Sequence, residues 1–151
     1  MAAEYLANAQ QSVNLNAPVI FTASIPCRKG LIYHEDETGI FILRGIVNNP
    51  CAKFATYRCT FNANIALPEG GTVAPIAVAI TTNGEQRPTS KAVFTPAAVE
   101  EFGNVTCTAI IKVPRGCCFN LSVEAVPANT TDTPAPAIIV ENSNFVIDRI
   151  A

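Results

Sequence analysis

The sequence predicts an all-β protein, an antiparallel sandwich or barrel of about ten strands. Three observations carry this expectation. Apolar and polar residues alternate in short segments that recur about every 10 to 15 residues. Eleven prolines and eight glycines, with several asparagines, punctuate those segments. No long stretch holds the 3.6-residue periodicity of an amphipathic helix.

Val13, Leu15, Ala17, Val19 and Phe21 alternate with mostly polar residues and predict a first strand over 13–23. GLIYH (30–34) is a short second strand, and the acidic turn Glu35-Asp36-Glu37 leads into GIFILRG (39–45). KFATYRCTFNANIAL (53–67) is the clearest strand. It sets Tyr57, Cys59, Phe61, Ala63, Ile65 and Leu67 on one face and Thr56, Arg58, Thr60, Asn62 and Asn64 on the other. VAPIAVAI (73–80) is apolar on both faces. An antiparallel strand buried on both faces needs a second cover, and the cover expected here is a partner subunit. Asn83-Gly84 is a hairpin turn. RPTSKAVFTP (87–96) follows as a strand, and AAVEEF (97–102) as one helical turn. VTCTAIIKV (105–113) and CCFNLSVEAV (117–126) are expected to pair as a hairpin closed by Pro114-Arg115-Gly116. PANTTDTPAPA (127–137) is a loop, and IIVENSNFVIDRI (138–150) is the last strand. Residues 1–11 are expected to be a tether outside the fold, and 12–151 a single domain without tandem repeats.

Composition narrows the function classes. The 151 residues are 49% hydrophobic and 15% charged, where soluble domains carry about 25% charge. With mean hydropathy +0.27, an oligomer is expected. Net charge is −2, and the ten Lys and Arg are scattered apart from Arg28-Lys29, so no nucleic-acid patch forms. No apolar run approaches the ~18 residues of a membrane span. The start, MAAEYLANAQQSVNL, has neither a basic opening nor an apolar core. A signal peptide is therefore not expected, and the six cysteines are expected to begin as thiols in a reducing cytosol.

Those cysteines are the nearest thing to chemistry in the chain. Strand alternation puts Cys117 in line with Phe119, Leu121 and Val123, and Cys118 in line with Asn120 and Ser122, so the two thiols diverge. Cys59 and Cys107 also fall on apolar faces. Cys59, Cys107 and Cys117 are thus expected in the core, as small hydrophobes. Cys27, Cys51 and Cys118 sit at or beside strand ends. Their alternatives are a free thiol, a metal ligand, or a bridge formed after release to an oxidising medium. The cysteine spacings of 24, 8, 48, 10 and 1 contain no C-x2–4-C pair of the zinc kind.

His34 is the single histidine. HEDE (34–37) is contiguous, and a catalytic relay must be assembled from separate places. The bland reading is a solvated acidic turn; calcium on Glu35, Asp36 and Glu37 would need 6–8 oxygens. There is no G-x-S-x-G and no phosphate loop. No catalytic, cofactor or metal residue is assigned, and an enzyme is not expected.

The strand order and turn chemistry resemble the trimeric jelly roll of the tumour necrosis factor and complement globular-head superfamily, in its bacterial and bacteriophage branch. The residues that carry the resemblance are SVNLNAPVIFTAS, GLIYHEDETGIFILRG, ATYRCTFNANIAL, the PEGG turn, PIAVAI, IIKVPRGCCFNLSVEAV and a last strand running to residue 151. TPAAVEEF and VPRGCC resemble phage-encoded structural proteins of Gram-positive hosts. No collagen-like G-X-Y stem is present, so attachment to a capsid, tail or fibre protein falls to the N-terminal segment.

The resemblance implies a homotrimer in which strands 13–23, 73–80, 117–126 and 138–150 line the three-fold axis. It makes Ile76, Val78, Ile80, Val140, Val146 and Ile150 the candidate interface. It also implies that the loops around 25–30, 46–52, 82–87 and 114–117 lie at one end, gathering Cys27, Cys51 and Cys118. The function expected is a non-enzymatic knob or decoration of a virion or surface fibre, assembled in the bacterial cytoplasm, with a host glycan or protein as a candidate ligand. A monomeric carbohydrate-binding sandwich is the alternative. It lacks an aromatic platform, since the chain has no Trp and three Tyr.

Overall fold

The computed structural model describes residues 1–26, 30–129 and 133–151. Among them, twelve strands form two antiparallel sheets: β1 (Ala2–Ala7), β2 (Gln11–Asn14), β3 (Ala23–Ile25), β4 (Ile32–His34), β5 (Phe41–Arg44), β6 (Phe54–Ala66), β7 (Ile76–Thr82), β8 (Glu85–Gln86), β9 (Ala92–Phe94), β10 (Gly103–Pro114), β11 (Cys118–Val126) and β12 (Ala137–Arg149). Sheet A runs β10-β6-β12-β1-β3, with β2 also on β12. Sheet B runs β4-β5-β11-β7-β8, with β9 also on β7.

The period-two pattern of the sequence sets which face each strand buries. In β6 the residues Ala55, Tyr57, Cys59, Phe61, Ala63 and Ile65 are all fully buried. In β10 the odd residues from Val105 to Val113 face inward. Phe21, Phe41, Phe61 and Phe145 form the centre, with centroid spacings of 5.3–6.3 Å. Most of these ring pairs meet edge to face, the arrangement that aligns positive ring edges with negative faces. Tyr57 satisfies its buried hydroxyl by donating to the Arg44 carbonyl at 2.6 Å, and it lies 3.1 Å from that of Leu31. Asn83 (φ 52°) and Gly84 (φ 83°) make the tight turn between β7 and β8, as two positive φ values require.

The structure departs from the sequence reading at five places. Residues 2–7 are not a tether. As β1 they pair with β12 on one side and β3 on the other, and bury Ala3, Tyr5 and Ala7. The span 13–23 is not one strand. Pro18 lacks an amide hydrogen and Asn16 sits at φ 65°, so the chain leaves β12 and crosses to β11, where the Val19 amide donates to Val123 O at 2.8 Å. Strands β10 and β11 are not a hairpin: they lie in different sheets, and 114–117 is an arch between them. Residues 97–102 form bends and a turn, with Glu100 at φ 59°. Finally, β7 needs no partner subunit as cover. Its outward residues Ala77 and Ala79 are already buried within the chain, because their side chains are short and Val126 and Ala128 pack beside them.

Candidate functional site

The described loops converge at one end of the sandwich. Residues 45–53 cross from sheet B to sheet A, and the arch 114–117 crosses back beside them. Gly45 donates to Cys117 O at 2.8 Å, and Gly116 donates to Gly45 O at 2.9 Å. The Arg115 amide donates to Lys53 O at 2.9 Å, and its guanidinium Nη1 to Pro50 O at 2.7 Å. Gly45 is required by this close approach: a Cβ there would stand 2.0 Å from the Pro114 carbonyl oxygen. The 83–84 turn lies alongside, its Asn83 Oδ1 accepting from the Asn120 amide at 3.0 Å.

Among the described residues, the end carries three exposed thiols, on Cys51, Cys117 and Cys118. Cys117 is therefore a correction to the expected core set. Strand β11 begins one residue later, at Cys118, so the inward alternation starts at Phe119 and Cys117 stays in the arch. Cys59 and Cys107 are buried. Burial pushes the Cys59 thiol up to about 12, a rise the Arg87 charge partly opposes. Burial likewise lifts Cys107 to about 11, against a backbone hydrogen bond from Ala92. Both are held as neutral thiols. Cys27 lies outside the described residues.

Beside the loop end is a 360 Å³ cavity walled by Leu31, Ile46, Asn48 and Ile150, with Arg149 within it. The Arg149 guanidinium lies 5.3 Å from the Tyr57 ring centroid and donates to Ile46 O at 2.7 Å and Ala151 O at 2.5 Å. A 390 Å³ cavity lies between 67–74 and 133–137, lined by Pro, Ala, Gly, Thr and Leu without a titratable group. Neither places a nucleophile against a base. His34 is engaged in structure: its ring stacks on Phe41 at 4.4 Å, and Nε2 donates to Thr38 O at 2.8 Å. Among the described residues, no three His, Cys, Asp or Glu side chains are grouped to hold a metal ion.

The candidate interface residues do not share a surface. Ile76, Val78, Ile80 and Val140 point into the sandwich core, because the inward-facing positions of β7 are the even ones. Val146 and Ile150 lie outside the core, with Ile150 46% exposed. The strands expected to line one axis are divided: β7 and β11 belong to sheet B, β2 and β12 to sheet A.

The outer face of sheet A is five strands wide. One row across it holds Ile25, Glu4, Val146, Thr60 and Thr108, and the next holds Ala23, Leu6, Asn144, Asn62 and Thr106. One ion-pair cluster crosses it. Arg58 meets Asp148 at 2.9 Å, Asp148 also meets the Met1 amino group at 3.3 Å, and Asn144 donates to Glu4. Sequence reasoning saw only part of this face because β1 and β3, two of its five columns, were not assigned as strands.

This two-sheet arrangement matches solved structures over nearly its full length. The globular domain of zebrafish complement 1qA superposes with TM-score 0.62 at 13% identity, covering 99% of this chain and 97% of that one. The fold is that of the complement globular heads and tumour necrosis factors. Eiger, a tumour necrosis factor from S. frugiperda, gives TM-score 0.64 at 9% identity over 100% of this chain and 92% of that one. Murine APRIL at pH 5.0 gives 0.56 at 10% identity over 99% and 98%. No protein-family model and no curated protein matches the sequence. The head fold here is thus a two-sheet jelly roll in which β1 and β12 are central strands of sheet A.

Proposed function

We propose that the chain is a non-enzymatic structural or adhesive head that works as a homotrimer, as a knob or decoration on a bacteriophage virion or a bacterial surface fibre. The observation that supports it best is the outer face of sheet A. That face sets Leu6, Ile25 (59% exposed), Ile110 (44% exposed) and Val146 among threonines and asparagines, and its Arg58 is already paired with Asp148. A broad, weakly charged face of this kind fits burial against copies of itself, and closed symmetry is the common outcome for homo-oligomers. Three copies is the number implied by the resemblance to the tumour necrosis factor and complement heads. The virion setting rests on the likeness of TPAAVEEF and VPRGCC to phage structural proteins. Attachment by the N-terminal segment is not part of this reading, since β1 is built into the sheet.

The test is molar mass by light scattering. The 16.0 kDa chain should give about 48 kDa as a trimer. Val146→Asp, on the outer face of β12, should reduce it to the monomer mass. Val93→Asp, on β9 at the far side of sheet B, should leave it unchanged. A monomeric wild type would sink the reading, and so would assembly lost with Val93→Asp and kept with Val146→Asp.

A further inference from the structure

Strand alternation makes one residue of β12 an anomaly. Phe145 and Ile147 face the core, and Arg149 takes the next inward position, opposite Tyr57 of β6. The neighbouring inward residues Phe145, Ile147, Tyr57 and Cys59 are fully buried. A cation in such company costs desolvation unless its donors are met. Departures of this kind from the local pattern gather at functional sites.

The donors of Arg149 are only partly met. A guanidinium carries five N–H bonds. Nε gives one to Ala151 O at 2.5 Å and Nη2 gives one to Ile46 O at 2.7 Å. The Ala151 oxygen also accepts from the Thr56 amide at 3.0 Å. Nη1 is shut off from solvent and meets no acceptor among the described residues. A buried donor of this kind calls for a partner. No acidic side chain supplies one: among the described residues the ion pairs are those of Asp148 with Arg58 and with the Met1 amino group. The Tyr57 ring, with its centroid 5.3 Å from the guanidinium carbon, favours the charge through its face and offers no lone pair to Nη1.

Arg149 borders the 360 Å³ cavity, together with Leu31, Ile46, Asn48 and Ile150. That volume falls at the small end of ligand pockets, about 300–1,000 Å³. The lining selects the chemistry. A guanidinium fork suits a carboxylate, whose two oxygens match parallel N–H bonds. No acidic side chain lines the cavity to repel one. Leu31, Ile46 and Ile150 suit a short apolar body. Met1 also borders the space, and its amino group is held by Asp148 at 3.3 Å.

We propose that this cavity is a binding site for a small monocarboxylate with a short apolar body, held by the Arg149 guanidinium. The carboxylate gives Arg149 the acceptor that the chain withholds. Its apolar body rests on Leu31, Ile46 and Ile150. The bound molecule thereby joins the 45–53 crossing to the end of β12.

The probe is hexanoate. Hexanamide supplies the same body without the charge, and inorganic phosphate the charge without the body. Each is titrated into the isotope-labelled wild-type protein while backbone amide shifts are followed by nuclear magnetic resonance. Hexanoate should bind with a Kd on the order of 1 mM, about tenfold more tightly than hexanamide. Its shifts should centre on Ile46, Asn48, Ile150 and Ala151, and phosphate should bind less tightly. Arg149→Met should lower hexanoate binding to the level of hexanamide. If that variant does not fold, the comparison of hexanoate with hexanamide on the wild type decides alone. No saturable shift by about 20 mM hexanoate would overturn the proposal and leave water as the partner of Nη1. Equal binding of hexanamide, tighter binding of phosphate, or shifts centred elsewhere would overturn it too. The residues that build the site belong to one chain, so none of these readouts depends on the number of copies.

Discussion

At the residue scale, the two sealed thiols couple stability to alkaline pH. Cys59 and Cys107 have an ordinary value of 9.0 when unfolded and stand at about 12 and about 11 in the fold. Above pH 9 the unfolded chain loses these protons while the folded one keeps them. The stabilisation is therefore complete below pH 9 and drains away as pH climbs through 11 and 12. Denaturation midpoints followed from pH 8 to 10.5 should fall, and they should fall less steeply in Cys59→Ala, although that variant starts from a lower midpoint because of the cavity it leaves. Equal slopes in the two proteins would contradict the burial account. Native alkylation at pH 8 should mark Cys51, Cys117 and Cys118 quickly and the sealed pair only on unfolding.

At the scale of elements, what the sequence disclosed depended on how much an element's own residues decide. The long strands β6, β10 and β12 were legible because a run of 12 or 13 residues repeats the alternation enough to leave one solution. The 83–84 turn was legible because Asn-Gly has few backbone alternatives. The arch after β10 was misread for a physical reason. Pro114-Arg115-Gly116-Cys117 closes the same four-residue turn whether the chain returns to its own sheet or crosses to the facing one, and the crossing is set by distant partners: β11 pairs with β5 and β7, and Gly45 packs against the turn. Gly45→Ala tests that dependence. Its Cβ would meet Pro114 O at 2.0 Å and Cys117 O at 3.0 Å, both backbone atoms that cannot swing aside. A loss of about 2 kcal/mol or more is expected in urea unfolding; a loss within the scatter of surface substitutions, about 0.5 kcal/mol, would show that the arch does not need the glycine. The Cys117 misassignment has the same origin, since alternation cannot be counted through a turn whose path is unknown.

At the scale of the whole molecule, the largest difference from the sequence reading is the place of residues 2–7. Ala3 and Ala7 carry so little apolar signal that the period-two pattern around Tyr5 was passed over, yet these residues fill the gap between β12 and β3. Deleting residues 2–7 should therefore abolish cooperative thermal unfolding measured by circular dichroism. A tether would leave the transition intact, so a well-folded deletion would refute the assignment of β1. Ile76 and Val78 are core residues, so Ile76→Asp or Val78→Asp should unfold the chain, whereas Val146→Asp should only separate copies. One further consequence follows from β1 and β12 running side by side. The Arg149 amide donates to Met1 O at 2.8 Å, so the first residue and the end of the last strand are neighbours in space although the whole sequence lies between them. A short peptide loop could join them and new ends could be opened at the exposed Asn83-Gly84 tip, giving a circularly permuted chain with every strand still in its place.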